Sequence, residues 1–449
     1  MDILNLLPQF GNLFMTILAF VVALSVIVAV HEYGHYIVGR WSGIKAEVFS
    51  LGFGPVLWSR MDRHGTRWQV ALLPFGGFVK FLGDADAASG KDAAAMATTP
   101  PERLRQTMHG APLWARTVTV AAGPVFNFIL SILVFAVVMM SQGETAEPLT
   151  VGALRPLPVE GVSLRPGDQV LAIEDRVLPA FGEGEGFGGF IDDLPRRALL
   201  DYEVVRDGSR LRVQGPQLMP PLVNGLAPQS AAFASDMRTG DVITAINDTP
   251  IVTFSELRSF VEGSDGATFD LHLWRPGGET LVVPITPRRV DEPQDEGGFS
   301  TEWRVGIMGG LAFEPATQRL DPLSAVSAGV AQTGRIIQGS LSGLYHMVTG
   351  AISSCNMSGP IGIAQVSGAM ASQGAESFIW FIAVLSTAVG LLNLFPVPVL
   401  DGGHLVFYAY EAATGRPPSD RALKVLMSIG LTLVLSLMMF ALFNDIVCP

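Results

Sequence analysis

Leu13 to Val30 is an almost unbroken apolar run, and it leads directly into His31-Glu32-Tyr33-Gly34-His35. The run with the residues after it is long enough to cross the hydrocarbon core of a bilayer as a helix. On that helix His31 and His35 stand four residues apart, one turn above each other on the same face. Two imidazoles so placed can share one Zn²⁺, with Glu32 beside them to take a proton from a water that the ion activates. Ionisable side chains at the end of a span cost several kcal/mol each to bury in lipid, so their presence points to function before structure. The remainder of the chain must then supply a third ligand.

Composition agrees with a membrane setting. Only 16% of the 449 residues are charged, and the mean hydropathy is +0.39, unusual for a soluble chain. A net charge of −12 argues against nucleic acid as a partner. Two cysteines, Cys355 and Cys448, form neither a disulfide framework nor a zinc-knuckle spacing. The start lacks a basic segment and small-residue cleavage site, so the first span is expected to remain in the mature protein.

Charge sets the expected orientation. Residues 1–12 hold no Lys or Arg, whereas Arg40, Lys45, Arg60, Arg63, Arg67, Lys80, Arg103, Arg105 and Arg116 follow the first helix. A second apolar segment, Val118 to Met140, is followed by Glu144 and Glu147. The positive-inside rule places 41–116 in the cytoplasm and the region after 141 outside. The expected parts are a first transmembrane helix (1–40), a cytoplasmic region (41–116) and a second transmembrane helix (117–141). Within the cytoplasmic region, Leu51-Gly-Phe-Gly-Pro55 and Pro74-Phe-Gly-Gly-Phe-Val-Lys80 are apolar and glycine-rich, and Trp68 to Leu72 alternates like a strand. They read equally well as turns between short strands or as a β-hairpin dipping into the bilayer. Residues 83–100 read as a linker.

Beyond the second span the chain is strand-like and repeats itself. Leu164-Arg-Pro-Gly-Asp-Gln-Val-Leu-Ala-Ile173 matches Met237-Arg-Thr-Gly-Asp-Val-Ile-Thr-Ala-Ile246, and Val205-Arg-Asp-Gly208 echoes Trp274-Arg-Pro-Gly277. A Gly-Asp turn before an alternating strand and an Asx turn resembles a PDZ domain, so two tandem α+β domains are expected at 146–220 and 221–312. Such domains take an extended peptide onto a sheet edge; the alternative is that both are spacers. Pro195 and the glycine-rich run Gly182 to Gly189 disturb the helix of the first copy.

An amphipathic helix within 320–375, spanning about 323–350, leads to Ser358-Gly-Pro360. The third span (376–404) ends in Asn393-Leu-Phe-Pro-Val-Pro-Val-Leu-Asp401-Gly-Gly-His404. Prolines and glycines break the helix at membrane depth, which lipid permits only around a polar or protein-lined site. Asp401 supplies the missing carboxylate, leaving a fourth position open; its alternative use is as a helix N-cap. His404, His64, His109, His272 and His346 are read as not metal-bound. A fourth span lies within 405–449. The fold class is thus a polytopic membrane protein, with four transmembrane helices, a membrane-associated β-hairpin region and two tandem PDZ domains.

HEYGH, Gly-Phe-Gly-Pro, Phe-Gly-Gly-Phe-Val-Lys, the repeats and Asn-Leu-Phe-Pro-Val-Pro-Val-Leu-Asp-Gly-Gly together resemble the site-2 protease family across essentially the whole chain. The resemblance implies a zinc intramembrane endopeptidase that cuts a membrane-anchored anti-sigma factor after a first cleavage outside, and clears signal-peptide remnants. It carries the metal ligands onto His31, His35 and Asp401, the general base onto Glu32, and substrate-strand contacts onto Asn393, Pro396 and Pro398. It further implies a bacterial inner membrane, periplasmic PDZ domains and a site toward the cytoplasm. Cys355 and Cys448 would then both face outside, where they could pair. A PDZ scaffold without activity has no use for Glu32, and a metal transporter should hold many intramembrane acids rather than one compact set.

Overall fold

Among the described residues four helices are long and apolar: α1 (Phe10–Trp41), α2 (Leu113–Gln142), and two further helices near the end of the chain. The computed structural model describes residues 10–85, 96–97, 100–181, 184–294 and 298–448, so most of the linker expected at 83–100 lies outside the described residues. The chain divides into one unit of Met1–Val138, Pro322–Tyr345 and Ser354–Pro449, and a second of Met139–Asp321 and His346–Ser353.

In the first unit, β1 (Ala46–Met61) and β2 (Arg67–Phe81) form more than the expected hairpin. Each folds back on itself, so Phe49 pairs with both Val79 and Trp68, while Trp68 also pairs with Arg60. The result is four short antiparallel runs in the order 77–81, 46–51, 67–71, 56–61. The reversals fall at Gly52, Gly54 and Gly76, all at positive φ, where a side chain would be strained. The alternation over Trp68 to Leu72 is real, but the inward row is Gln69 and Ala71. The Gln69 amide nitrogen donates to Ser50 Oγ while its Oε1 is buried without a partner, and Val70 and Leu72 face outward with Phe53, Val56 and Trp58.

A core of Tyr36, Phe49, Val79, Phe81, Met108 and Val120 fastens this sheet to α1 and α2. The unit is completed by α5 (Pro322–Thr349), α6 (Pro360–Ser372), α7 (Ala375–Asn393), α8 (Asp401–Thr414) and α9 (Asp420–Val447). Of these, α7 and α9 are long and apolar enough to cross a membrane, giving four such helices with α1 and α2 among the described residues. Lipid offers no hydrophobic drive for helices to associate, so small residues and buried hydroxyls hold them. Ser131 Oγ donates to the Ala383 carbonyl and Ser386 Oγ to that of Asn127, joining α2 to α7. The amphipathic helix α5 buries Ala325, Gly329 and Thr333, with Gly329 against the Ile132 carbonyl of α2. Cys355 and Cys448 are joined in a disulfide, and Asp445 of α9 accepts the amides of Gly359, Ile361 and Gly362 at the start of α6.

The second unit holds both repeats. Strands β4 (Gln169–Ile173), β5 (Arg176–Val177), β6 (Leu199–Arg206) and β7 (Ser209–Pro216) form a sheet ordered β5-β4-β6-β7, with β3 (Val151–Leu154) outside it. The second copy repeats that order: Thr249–Pro250, Val242–Ile246, Phe269–Arg275, Glu279–Ile285. Likeness extends to single interactions. In each Gly-Asp turn the glycine has positive φ, at Gly167 and Gly240. The buried aspartate then takes two hydrogen bonds from an arginine on the third strand, Asp168 from Arg206 and Asp241 from Arg275. Burial alone would raise the Asp168 carboxyl; Arg206 and the Arg165 amide outweigh it and hold it below the usual range. The helices differ. The second copy's, α4 (Phe254–Glu262), has a Thr253/Glu256 capping box. The first copy's, α3 (Gly184–Asp192), incorporates part of the glycine run and stops before Pro195.

Candidate metal centre

The helical rise of α1 stacks His31 over His35, their ring centroids 4.7 Å apart and nearly perpendicular. Their Nε2 atoms lie 3.1 Å from each other. The space for both rings exists because α2 presents Gly123 to them: a Cβ there would stand 2.3 Å from His35 Nε2 and 2.8 Å from His31 Cε1. Each ring is also held from its far nitrogen. His35 Nδ1 is 2.9 Å from the Thr119 carbonyl, and His31 Nδ1 is 3.2 Å from the Asn127 amide.

The third group arrives from a break in the membrane-spanning architecture. Helix α7 ends at Asn393, whose Nδ2 donates to the Val389 carbonyl, and α8 starts at Asp401. Pro396 and Pro398 keep residues 394–400 from continuing the helix. Gly402 and Gly403 let that segment close tightly on α8, since a Cβ on either would come within 2.3 Å of a carbonyl of Leu394, Phe395 or Val397. The N-cap position belongs to Leu400, and Asp401 is the first helical residue, with its carboxylate turned to the histidines. Asp401 Oδ2 is 3.2 Å from His31 Nε2 and 3.5 Å from His35 Nε2.

Three lone-pair atoms thus converge, and Asp401 Oδ2 is buried without a hydrogen bond. Donors of a tetrahedral zinc site, with bonds of about 2.0–2.1 Å, stand about 3.4 Å apart. The observed separations of 3.1–3.5 Å match, so the residues fit such an ion. Among the described residues this is the only group of three His, Cys, Asp or Glu side chains so arranged. His404 lies outside it, while His64 meets Arg40 and His109 lies 3.3 Å from Asp84.

Glu32 faces the sheet rather than α2. A Cβ on Gly77 would lie 3.1 Å from Glu32 Cγ, so the run 77–81 passes directly beside the carboxylate. Two features escaped the sequence reading. Asn127 is a polar residue inside an apolar span, which is a signal, but its partner His31 is 96 positions away. Arg116 of α2 makes a two-pronged ion pair with Glu411 of α8 and lies over the Tyr408 ring, 295 positions apart in the chain for the ion pair.

Comparison with known proteins places these observations. The sequence profile of peptidase family M50 matches residues 19–437. An Agrobacterium fabrum protein named "Putative zinc metalloprotease Atu1380" is 36% identical over 434 residues, 96% of this chain and 95% of its own. "Putative zinc metalloprotease R01501" of Rhizobium meliloti is 37% identical over 438 residues, 97% of each chain. A Xylella fastidiosa relative with the same kind of name is 31% identical over 474 aligned residues, 97% of this chain. A donor set spaced for zinc, four helices able to cross a membrane, and relatives alike from end to end lead to one assignment: the chain belongs to peptidase family M50, the site-2 proteases, and is a zinc metalloprotease.

Proposed function

We propose that the chain is an intramembrane endopeptidase in which His31, His35 and Asp401 hold one Zn²⁺ and Glu32 is the general base. The observation that carries this reading is the convergence of three donor atoms from α1 and α8 beside a carboxylate. Zinc at such a set supplies a Lewis acid that polarises a carbonyl and acidifies water. Glu32, through its carboxylate oxygen, accepts the proton of the attacking water and returns it to the leaving amine. A substrate helix has its carbonyls tied up in hydrogen bonds, so it must unwind before attack. The run 77–81 has one strand partner among the described residues, and it takes the unwound segment as an added strand beside Glu32. Asn393, Pro396 and Pro398 help to hold that segment.

The substrate in this reading is a single-pass membrane regulator of the anti-sigma-factor kind, with signal-peptide remnants as a second class. The protein sits in the bacterial inner membrane with the site toward the cytoplasm. The two repeats are periplasmic PDZ domains that filter substrates by size or by a newly made C-terminus and take no part in the chemistry. The equal order of their sheets supports the duplication.

The test is incubation of the detergent-purified protein with a membrane-anchored peptide, with and without a chelator, beside Glu32→Gln. Wild type should contain one zinc and cleave only when loaded; Glu32→Gln should keep the zinc and lose cleavage. A wild type without zinc, or full proteolysis by Glu32→Gln, overturns the reading. Deleting residues ~155–310, whose function is separable if sites are grafted on folds, should keep cleavage of a pre-trimmed substrate and admit uncut precursors. Loss of both by a folded, zinc-loaded protein would place the repeats in the catalytic machinery.

A further inference from the structure

Asn127 is wholly buried in α2, where it packs against Gly390 of α7. Its backbone carbonyl accepts from Ser131 of the same helix and from Ser386 of α7. Its amide instead stands 3.2 Å from His31 Nδ1, and its Oδ1 has no partner. A buried, unpaired amide oxygen costs on the order of 1–3 kcal/mol, so its retention beside a ligand calls for a reason.

Tautomer chemistry supplies one. A neutral imidazole that binds a metal through Nε2 carries its proton on Nδ1, and that N–H needs an acceptor to fix the ring. His35 has one in the Thr119 carbonyl at 2.9 Å. The group given at His31 Nδ1 is the Asn127 amide. A half-turn of that amide exchanges its oxygen and nitrogen, puts Oδ1 against the Nδ1 proton, and removes the unpaired oxygen in the same movement. We infer that Asn127 is a positioning residue for zinc: its Oδ1 accepts from His31 Nδ1–H and locks the imidazole with Nε2 facing the ion. The inference rests on the reading of His31 as a ligand. It differs from a packing role in one respect, that what matters at position 127 is an acceptor rather than an amide.

The experiment compares wild type, Asn127→Asp, Asn127→Leu and His31→Ala, each full-length in detergent. Zn²⁺ is titrated in competition with a chromogenic chelator, and thermal unfolding of the metal-free forms reports folding. Asn127→Leu, close in volume but without an acceptor, should bind zinc about 10–100-fold more weakly. Asn127→Asp keeps an acceptor in the same place and should bind at least as tightly as wild type. If Asn127→Asp loses zinc as fully as Asn127→Leu, or if Asn127→Leu binds like wild type, the inference is wrong. Should Asn127→Leu not fold, Asn127→Asp decides alone. Retention of zinc by His31→Ala would instead overturn the reading of His31 as a ligand, which separates that failure from a failure of the Asn127 role.

Discussion

Replacing Gly123 by alanine should damage the metal centre far more than the fold. The added methyl would stand 2.3 Å from His35 Nε2, where ordinary contact begins at 3.4 Å, so the ring or the helix must give by about 1.1 Å. Zinc ligands tolerate only about 0.2 Å of misplacement. The helices cannot readily part, because Gly34 of α1 is already so close to α2 that its own Cβ would lie 2.6 Å from the Ala122 carbonyl. Overpacking of this kind costs about 1–3 kcal/mol. Taken wholly from zinc binding, that is a loss of about 5–150-fold in affinity. The assay is a competition titration with zinc, run beside thermal unfolding of the metal-free protein. Gly329→Ala is the matched control, since its methyl would meet the Ile132 carbonyl at 2.5 Å, between α5 and α2. It should lower stability and leave zinc affinity unchanged. Equal zinc affinities for Gly123→Ala, Gly329→Ala and wild type would refute the reasoning.

Arg116→Ala should destabilise the protein by about 3 kcal/mol, because it strands the largely buried Glu411 carboxylate. The exchange Arg116→Glu with Glu411→Arg should recover part of that loss, and a cost no larger than a surface pair's, under about 1 kcal/mol, would show that solvent reaches the pair. Burial pushes the Asp62 carboxyl up, but the amides of Thr66 and His64, the Trp68 indole and the Tyr36 hydroxyl outweigh it and bring it down to about 2. Its contribution is therefore full above the ordinary carboxylate pKa of about 4 and is lost as pH falls toward about 2. Hydrogen exchange at the His64 and Thr66 amides should follow that window in wild type and lack it in Asp62→Asn. Cys355 and Cys448 should resist an impermeant maleimide in intact cells until reduced, whereas a cysteine placed at exposed Arg63 should stay unlabelled throughout; labelling at Arg63 would reverse the expected orientation.

What could be read from residues alone was whatever depends on short spacing or on the cost of charge in lipid. The His31–His35 stack follows from the helical repeat, and Asp401 stands out because an acid at membrane depth is costly. The repeat is visible as matched Gly-Asp turns and again as the echo around Arg206 and Arg275, but these arginines lie 38 and 34 positions from the aspartates they fasten, so the pairing itself has no local signal. Contacts across long separations were hidden: nothing near Asn127 names His31, and nothing near Arg116 names Glu411. The sheet was half legible. Its glycines marked turns, but whether the flanking strands were short or folded back on one another depends on pairing. The outward row at Val70 and Leu72 inverts the usual rule, with Gln69 on the inner side donating to Ser50 Oγ.

Asp401 occupies the first turn of α8, where the unpaired amides and the helix dipole favour an anion whether or not a cation is present. The two imidazoles are anchored through Thr119 and Asn127 independently of the carboxylate. A site prepared in this way can be emptied and refilled without dismantling its surroundings, unlike small zinc modules whose folding is metal binding. Chelation should therefore lower the unfolding temperature only by the mass-action share of a lost ligand. Stripped enzyme should then recover on simple addition of the ion, with no refolding step, so the cell could insert the polypeptide first and meter its activity later through metal supply.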